Sequence, residues 1–369
     1  MKEDIYYVGF NANNAICNED FFKGSITLYP TNEKGNFNFF DYKKQQKCNL
    51  DYEYKDFVEK TISDILETNP NAKIMCFNSK AKELCKKFNS NFTLSNDDIL
   101  LAFLNDKYKT RELVKDVVPI LNYVWLNNLD LSYSKICNII NSNTFVVQAV
   151  CGAGGNNTYN VLCENDYCSI TNRIGKFCVS SYVKNTPLNV TAIIANDKNI
   201  ILPPSAQLIL SNNSNFLYAG GDFALVSILG KSIINKIYDY TNKILNIVKD
   251  KGYRGIIGID YILDKNNKVY FMEINPRFQA SSFLINLELE ERGFPCLAEL
   301  NYNALNGLSL PDIKLSINKS FLNCNEQNSF DEFNADKLVF NGYFKFNKSS
   351  IYRKVFNASI INNNLFEHI

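Results

Sequence analysis

The stretch Gly255 to Gln279, G-I-I-G-I-D-Y-I-L-D-K-N-N-K-V-Y-F-M-E-I-N-P-R-F-Q, concentrates the side chains best suited to chemistry. It reads as two strands, 256–264 and 268–275, joined at an Asn-Asn turn that tolerates the positive φ of a type I′ hairpin. With Asn266 and Asn267 as the central pair, Lys265 faces Lys268 and Asp260 lies across from Glu273. Asn275, two residues beyond Glu273, points to the same face. Facing carboxylates repel. A hard divalent cation reverses that sign, because Mg²⁺ takes oxygen ligands and sits between carboxylates and phosphates. Arg277, just past Pro276, adds positive charge for a phosphate. The alternative is an exposed hairpin whose acids simply face water, and spacing alone leaves it open.

A second feature is Gly152-Ala153-Gly154-Gly155, set between the β-prone T-F-V-V-Q-A-V (144–150) and a strand from Tyr159. Glycines let backbone N–H groups approach phosphate oxygens with no Cβ in the way. No Gly-Lys-Ser/Thr follows, so this is not a Walker A loop, and a plain hairpin tip would look the same.

Other chemistries are excluded by count. The one His, His368, is second from the end, which removes His triads and multi-His zinc sites. Eleven Cys without a C-x-x-C pair argue against zinc ribbons and thioredoxin-like centres, and read as buried, reduced thiols. Cys151, beside the glycines, is the one Cys in an interesting position and reads as a small apolar filler. A net charge of +1 gives no general case for nucleic acid, and no apolar run is long enough to span a bilayer. The opening M-K-E-D lacks a basic leader followed by an apolar core. A soluble cytoplasmic protein is the expectation.

The elements that must carry these residues follow from apolar spacing. Strand 5–10, helix 53–68 stopped at Asn69-Pro70, strand 73–77 and helix 80–88 alternate as a small open α/β unit. A helix over 105–118 ends at Pro119, and another covers 132–141. Strands follow at 176–183, 189–195 and 199–203. Apolar residues then recur at helical spacing from Asp222 to Lys251, closed by Gly252. A helix over 282–292 follows, and from about 310 the chain becomes irregular, with strand-like pieces at 337–346 and 351–361.

Taken in order, these features resemble the ATP-grasp superfamily, closest to carbamoyl-phosphate-synthetase-like and amino-acid-ligase members. The resemblance rests on the glycine hairpin, on a G-I-D-x-I…E-I-N-P-R segment roughly a hundred residues after it, and on N-D-K-Y-K-T-R at the place of a D-K-x-x-x-[KR] helix. It covers about 105–300. It implies an α/β (α+β) chain in four parts: an N-terminal pre-ATP-grasp domain (1–104), a small lobe with the glycine loop (105–184), a large lobe with the metal site (185–308), and a C-terminal extension of unassigned role (309–369).

The resemblance further implies ATP with Mg²⁺, or Mn²⁺, as cofactors. Asp260, Glu273 and Asn275 would hold the metal, Arg277 and Asn275 would act in catalysis, and Lys107 and Gln148 would face nucleotide. Gly152, Gly154 and Gly155 would close over the triphosphate, and the backbone of Tyr182 and Val183 in the linker 178–183 would read adenine. Gln207 and the segment 218–223 would lie on the substrate side. The chain departs from the pattern twice. Gln148 stands where a lysine is usual, with Lys176 or Lys184 as nearby replacements, and Ser180-Ser181 stand where the linker usually has an acid. The implied reaction makes an acyl phosphate from a carboxylate and ATP, then joins it to an amine, with an amino acid or peptide as substrate and a homodimer as a plausible assembly. A carboxylase ranks lower, because nothing resembles a biotin-accepting segment. The alternative is a nucleotide-binding module without ligase activity, consistent with both departures.

Overall fold

The computed structural model of the chain describes residues 4–11, 21–29, 37–39, 50–88, 93–150, 157–212, 215–227, 229–325, 337–347, 352–361 and 364–367. Three sheets organise them. Strands β1 (Ile5–Asn11), β2 (Gly24–Tyr29), β3 (Phe37–Phe39), β4 (Lys73–Cys76) and β5 (Thr93–Leu94) form an all-parallel sheet in the order β3-β2-β1-β4-β5. Val8, Ile26 and Ile74 pack against Val58 and Ile62 of the helix Leu50–Thr68. This is the expected open α/β unit, with β2, β3 and β5 added. β3 and β5, of three and two residues, are too short to show a period in sequence, and β2 was not foreseen.

The second sheet is antiparallel, built from β6 (Tyr123–Leu126), β7 (Phe145–Ala149), β8 (Thr158–Val161) and β9 (Phe177–Ser181) in the order β6-β9-β7-β8. Phe145, Val147, Phe177 and Val179 face Ile136 and Ile140 of the helix Tyr133–Ile140. Alternation turns Val146, Gln148, Cys178 and Ser180 to the other face, where Gln148 pairs with Cys178 and Val146 with Ser180.

The third and largest sheet contains β10 (Asn185–Ile194), β11 (Asn199–Ile201), β12 (Ser205–Asn212), β13 (Asn215–Asp222), β14 (Gly255–Asp264) and β15 (Val269–Asn275), followed by β16 (Ser320–Asn325), β17 (Lys337–Asn347), β18 (Tyr352–Ile361) and β19 (Asn364–Glu367). β10 and β14 are buried nearly end to end because helices cover both faces. Ile237, Ile244 and Val248 of the helix Lys231–Asp250 cover Val190, Ala192, Ile257 and Ile259. The helices Ser282–Glu291 and Leu297–Leu305 cover Ile193 and Ile256 from the other side. The C-terminal strands prolong this sheet from β13, so the segment after 310 is more regular than its Asn-rich sequence implies.

Two predicted helices differ in extent. The span 105–118 contains the helix Lys107–Val114, shorter at both ends, and a separate, unexpected helix, Asp98–Asn105, precedes it. Asp106 ends one and caps the other, its carboxylate accepting from the N–H groups of Tyr108 and Lys109 at 3.0 Å. The span 222–251 breaks into Phe223–Ser227 and Lys231–Asp250, where Gly230 takes φ +83°. No helix among the described residues is long and apolar enough to cross a membrane.

Candidate active site

The hairpin brings its acids together, by a route that differs from the two-residue turn. Asp264 N–H donates to the Lys268 carbonyl at 3.0 Å, and Asn267 takes φ +61°, so the loop holds three residues, 265–267. That shifts the pairing by one residue, giving Tyr261 opposite Phe271. A bulge between Asp260 and Tyr261 shifts it back, and Asp260 does face Glu273. The expected pair is present because two deviations cancel.

Asp260 is the most heavily engaged of the acids. Asn189 on β10 donates to its Oδ1 at 2.6 Å, Asn275 donates to its Oδ2 at 2.9 Å, and Gln279 reaches Oδ1 at 3.5 Å. A further layer fixes those amides. Ser281 Oγ donates to Asn189 Oδ1 at 3.2 Å, Thr191 Oγ1 donates to Gln279 Oε1 at 3.3 Å, and Arg277 Nη2 donates to Asn275 Oδ1 at 3.1 Å. Gly258 is required beneath Gln279: a Cβ there would lie 1.9 Å from the Gln279 amide carbon.

Lys107, at the first turn of its helix, places Nζ 2.8 Å from Glu273 Oε2, and both side chains are largely shielded from water. The two acids titrate in opposite directions. Burial and then the facing Glu273 push the Asp260 carboxyl up to about 7, against the pull of Asn189 and Arg277. Burial alone would raise Glu273 too, but the Lys107 ammonium outweighs it and holds that carboxyl below its ordinary range. Burial, and next the Asp260 charge, push the Tyr218 phenol well above its ordinary value, which places this residue of the 218–223 segment in the field of the site.

Among the described residues no three His, Cys, Asp or Glu side chains converge as a metal cluster. The candidate set is two carboxylates plus the Asn275 amide, an all-oxygen donor set of the kind Mg²⁺ takes. The residues fit the cation: a carboxyl raised by burial and then by its facing acid is one whose ionisation a divalent charge would favour, and Lys107 already supplies such a charge at Glu273.

The other candidates fall as follows. Gln148 is on the face of the small sheet turned away from its own core. Lys176 and Lys184, the suggested replacement cations, are both exposed. The cation beside Gln148 is Arg111, the last residue of N-D-K-Y-K-T-R, whose Nη2 donates to Gln148 Oε1 at 3.1 Å. Sequence reasoning passed over Arg111 although it stands at the motif's own [KR] position. Asn189 and Gln279 were missed as well, and only Gln279, four residues past Asn275, carried a signal. In the linker, the Tyr182 N–H donates to the Thr144 carbonyl at 3.0 Å and the Val183 carbonyl accepts from Asn185 Nδ2 at 2.7 Å. Ser180 Oγ is buried with no hydrogen-bond partner among the described residues. Gln207 pairs with Gly221 across β12 and β13. Gly152, Gly154, Gly155 and Cys151 lie outside the described residues. The described cysteines are all free, and Cys163 and Cys168 are exposed, contrary to the expectation of burial.

A cleft lined by Asn78, Lys82, Arg277 and Phe278 opens where the N-terminal unit meets the site. The Phe77 and Phe278 rings stack across that boundary at 3.6 Å, and the Phe278 N–H donates to the Phe77 carbonyl at 3.1 Å.

Comparison with known proteins agrees with this geometry. A family model described as an ATP-grasp domain matches residues 104–281. No curated protein matches the sequence. Among solved structures, the chain is similar to the biotin carboxylase domain dimer of Hydrogenobacter thermophilus 2-oxoglutarate carboxylase, with MgADP, ADP and bicarbonate (TM-score 0.64, 14% identity, 86% of this chain and 73% of that one). It is also similar to Campylobacter jejuni biotin carboxylase in a β-γ-ATP complex (0.63, 15%, 84% and 72%). A third is the N5-carboxyaminoimidazole synthetase of Staphylococcus aureus with ADP (0.57, 16%, 86% and 80%). At these identities the likeness speaks for the fold. Residues 104–281 thus match the model of an ATP-grasp domain, the superfamily that the sequence motifs resemble.

Proposed function

We propose that the chain is an ATP-dependent ligase that activates a carboxylate as an acyl phosphate and passes the acyl group to an amine, releasing ADP and phosphate. The observation that carries this reading is the Asp260–Glu273 pair, two acids set face to face and locked by amides, with Lys107 on one and Arg277 one residue removed. Such a pair is costly to an unliganded fold and suited to a cation–phosphate complex. ATP with Mg²⁺ is supported by the ADP and MgADP in similar structures.

In this reading Asp260, Glu273 and Asn275 hold Mg²⁺. When bound, Mg²⁺ neutralises phosphate charge that grows during transfer. Lys107 moves from Glu273 toward phosphate oxygens. Asn189 and Gln279 keep Asp260 oriented, so little rearrangement accompanies transfer. The carboxylate oxygen attacks the γ-phosphorus and ADP leaves. The amine nitrogen then attacks the acyl carbon, phosphate leaves, and the amine's proton passes to solvent. Arg277, next to the cleft toward Asn78 and Lys82, steadies the carboxylate and the tetrahedral intermediate. The glycine loop 152–155 covers the triphosphate and excludes water.

The acid is an amino acid, a peptide or a similar small carboxylate in the first reading. A second reading, bicarbonate as the activated carboxylate, draws on the carboxylase neighbours, one of them holding bicarbonate. ADP release separates the two: dependence on an organic acid plus an amine supports the first, and release with bicarbonate alone supports the second. No release across both panels, with MgATP bound, would leave a nucleotide-binding module and end the ligase proposal.

A further inference from the structure

Arg111 is 1% exposed, one of the largest fully buried side chains of the protein. Its guanidinium lies between two sheets. Nε donates to the Met272 carbonyl of β15 at 3.3 Å, Nη1 donates to Cys178 Sγ of β9, and Nη2 donates to Gln148 Oε1 of β7 at 3.1 Å. The Tyr123 ring lies 5.8 Å from its centre. Every one of these partners is neutral, and among the described residues no carboxylate pairs with Arg111. The adjoining segment 151–156, C-G-A-G-G-N, carries no acid either. A buried cation without an anion is expensive, so it calls for an anion that the described residues do not provide.

Two further observations place that anion on the Gln148 side. With Oε1 turned to Arg111, the amide N–H₂ end of Gln148 points away from the guanidinium. Ser180, on the same face of the same sheet, has its hydroxyl buried and unpartnered among the described residues. One face thus offers an amide donor backed by a cation and an unused hydroxyl.

Resting on the nucleotide reading above, we infer that Arg111 supplies the positive charge of the phosphate subsite and delivers it through Gln148. Arg111 is a positioning residue: it fixes the Gln148 amide with its donor end toward the phosphates and polarises it. This explains the absence of a lysine on β7. An ammonium at position 148 would sit about one hydrogen-bond length from a guanidinium already in place, and two buried cations at that distance repel. Position 148 is therefore neutral because the charge has moved to position 111.

The test is calorimetric titration of the full chain with MgADP. Arg111→Met should weaken binding by about 10- to 100-fold, the range of one charge-assisted hydrogen bond. Gln148→Lys alone should also bind poorly and melt earlier. The double variant Arg111→Met, Gln148→Lys should recover to within about threefold of wild type, because it moves the cation without removing it. Gln148→Glu guards against simple misfolding. It keeps an acceptor for Arg111 and should fold at least as stably as wild type, yet lose at least about 30-fold in affinity, since a carboxylate then meets phosphate. A merely structural Arg111 predicts the reverse: Gln148→Glu binding as wild type, with no recovery in the double variant. That result, or an Arg111→Met affinity within twofold of wild type, would overturn the inference alone. A wild-type chain that does not bind MgADP would overturn the nucleotide reading with it.

Discussion

Replacing Asp260 with Asn should stabilise the ligand-free protein while removing its function. Burial and the facing Glu273 move the Asp260 carboxyl from its ordinary 3.8 up to about 7. Between those values the folded chain binds a proton that the unfolded chain releases, so wild-type stability falls as pH rises through this window. Above it the full cost of the ionised carboxylate remains. At about 1.4 kcal/mol per pH unit, three units give a ceiling of roughly 4 kcal/mol. Asparagine turns one acceptor edge into a donor and so forfeits the bond from Asn189 or Asn275, a loss of about 1–2 kcal/mol. The two contributions nearly cancel at pH 5, and the variant gains roughly 2 kcal/mol at pH 8, a rise of several degrees in melting temperature. Urea or thermal unfolding of both proteins in EDTA at pH 5 and pH 8 measures this. A difference that is flat across pH, or a variant less stable at pH 8, would refute the placement of Asp260 as a carboxylate held at a cost. With MgATP the ranking reverses, and turnover should drop at least ~100-fold.

Lys107→Met should release Glu273 from the charge that lowers it; MgADP affinity should fall at least ~10-fold by calorimetry. It should also remove the stability that the lowered Glu273 confers, a contribution present above pH ~4.5 and lost as pH drops below it, visible as a weaker acid dependence of the melting temperature. Gly258→Ala should displace Gln279 from Thr191 and Asp260, costing about 1–3 kcal/mol in chemical unfolding and about tenfold in kcat. Phe77→Ala should remove the stack on Phe278, costing roughly 3 kcal/mol and raising KM for the carboxylate more than for ATP, read from initial rates.

The facing carboxylate pair was legible because a hairpin's face alternation is rigid, and one residue number fixes the partner of another. Even so, the turn length was misread, and only the bulge at Asp260 restored the pairing. No sequence period announces a bulge. Helix ends were legible at Asn69-Pro70 and Gly252, but the helix before Pro119 stops at Val114, and Asp98–Asn105 went unread because Asp106 alone ends it and caps the next helix. β12 and β13 escaped because S-A-Q-L-I-L-S-N and N-F-L-Y-A-G-G-D show no strict apolar–polar alternation. Asn189 was invisible for a different reason: it sits 71 positions from Asp260, and only pairing of β10 with β14 brings them together. Arg111 stood inside a quoted motif. Its role depends on three partners from three strands, which no linear spacing records.

Calorimetric titration with ADP, in Mg²⁺ and again in EDTA, tests the central claim most directly. Cation and nucleotide should bind as a unit on Asp260, Glu273 and Asn275: Mg²⁺ should tighten ADP at least ~10-fold in wild type. The gain should vanish in the Asp260→Asn, Glu273→Gln double variant. Equal affinity with and without Mg²⁺, or a gain that survives both substitutions, would contradict it.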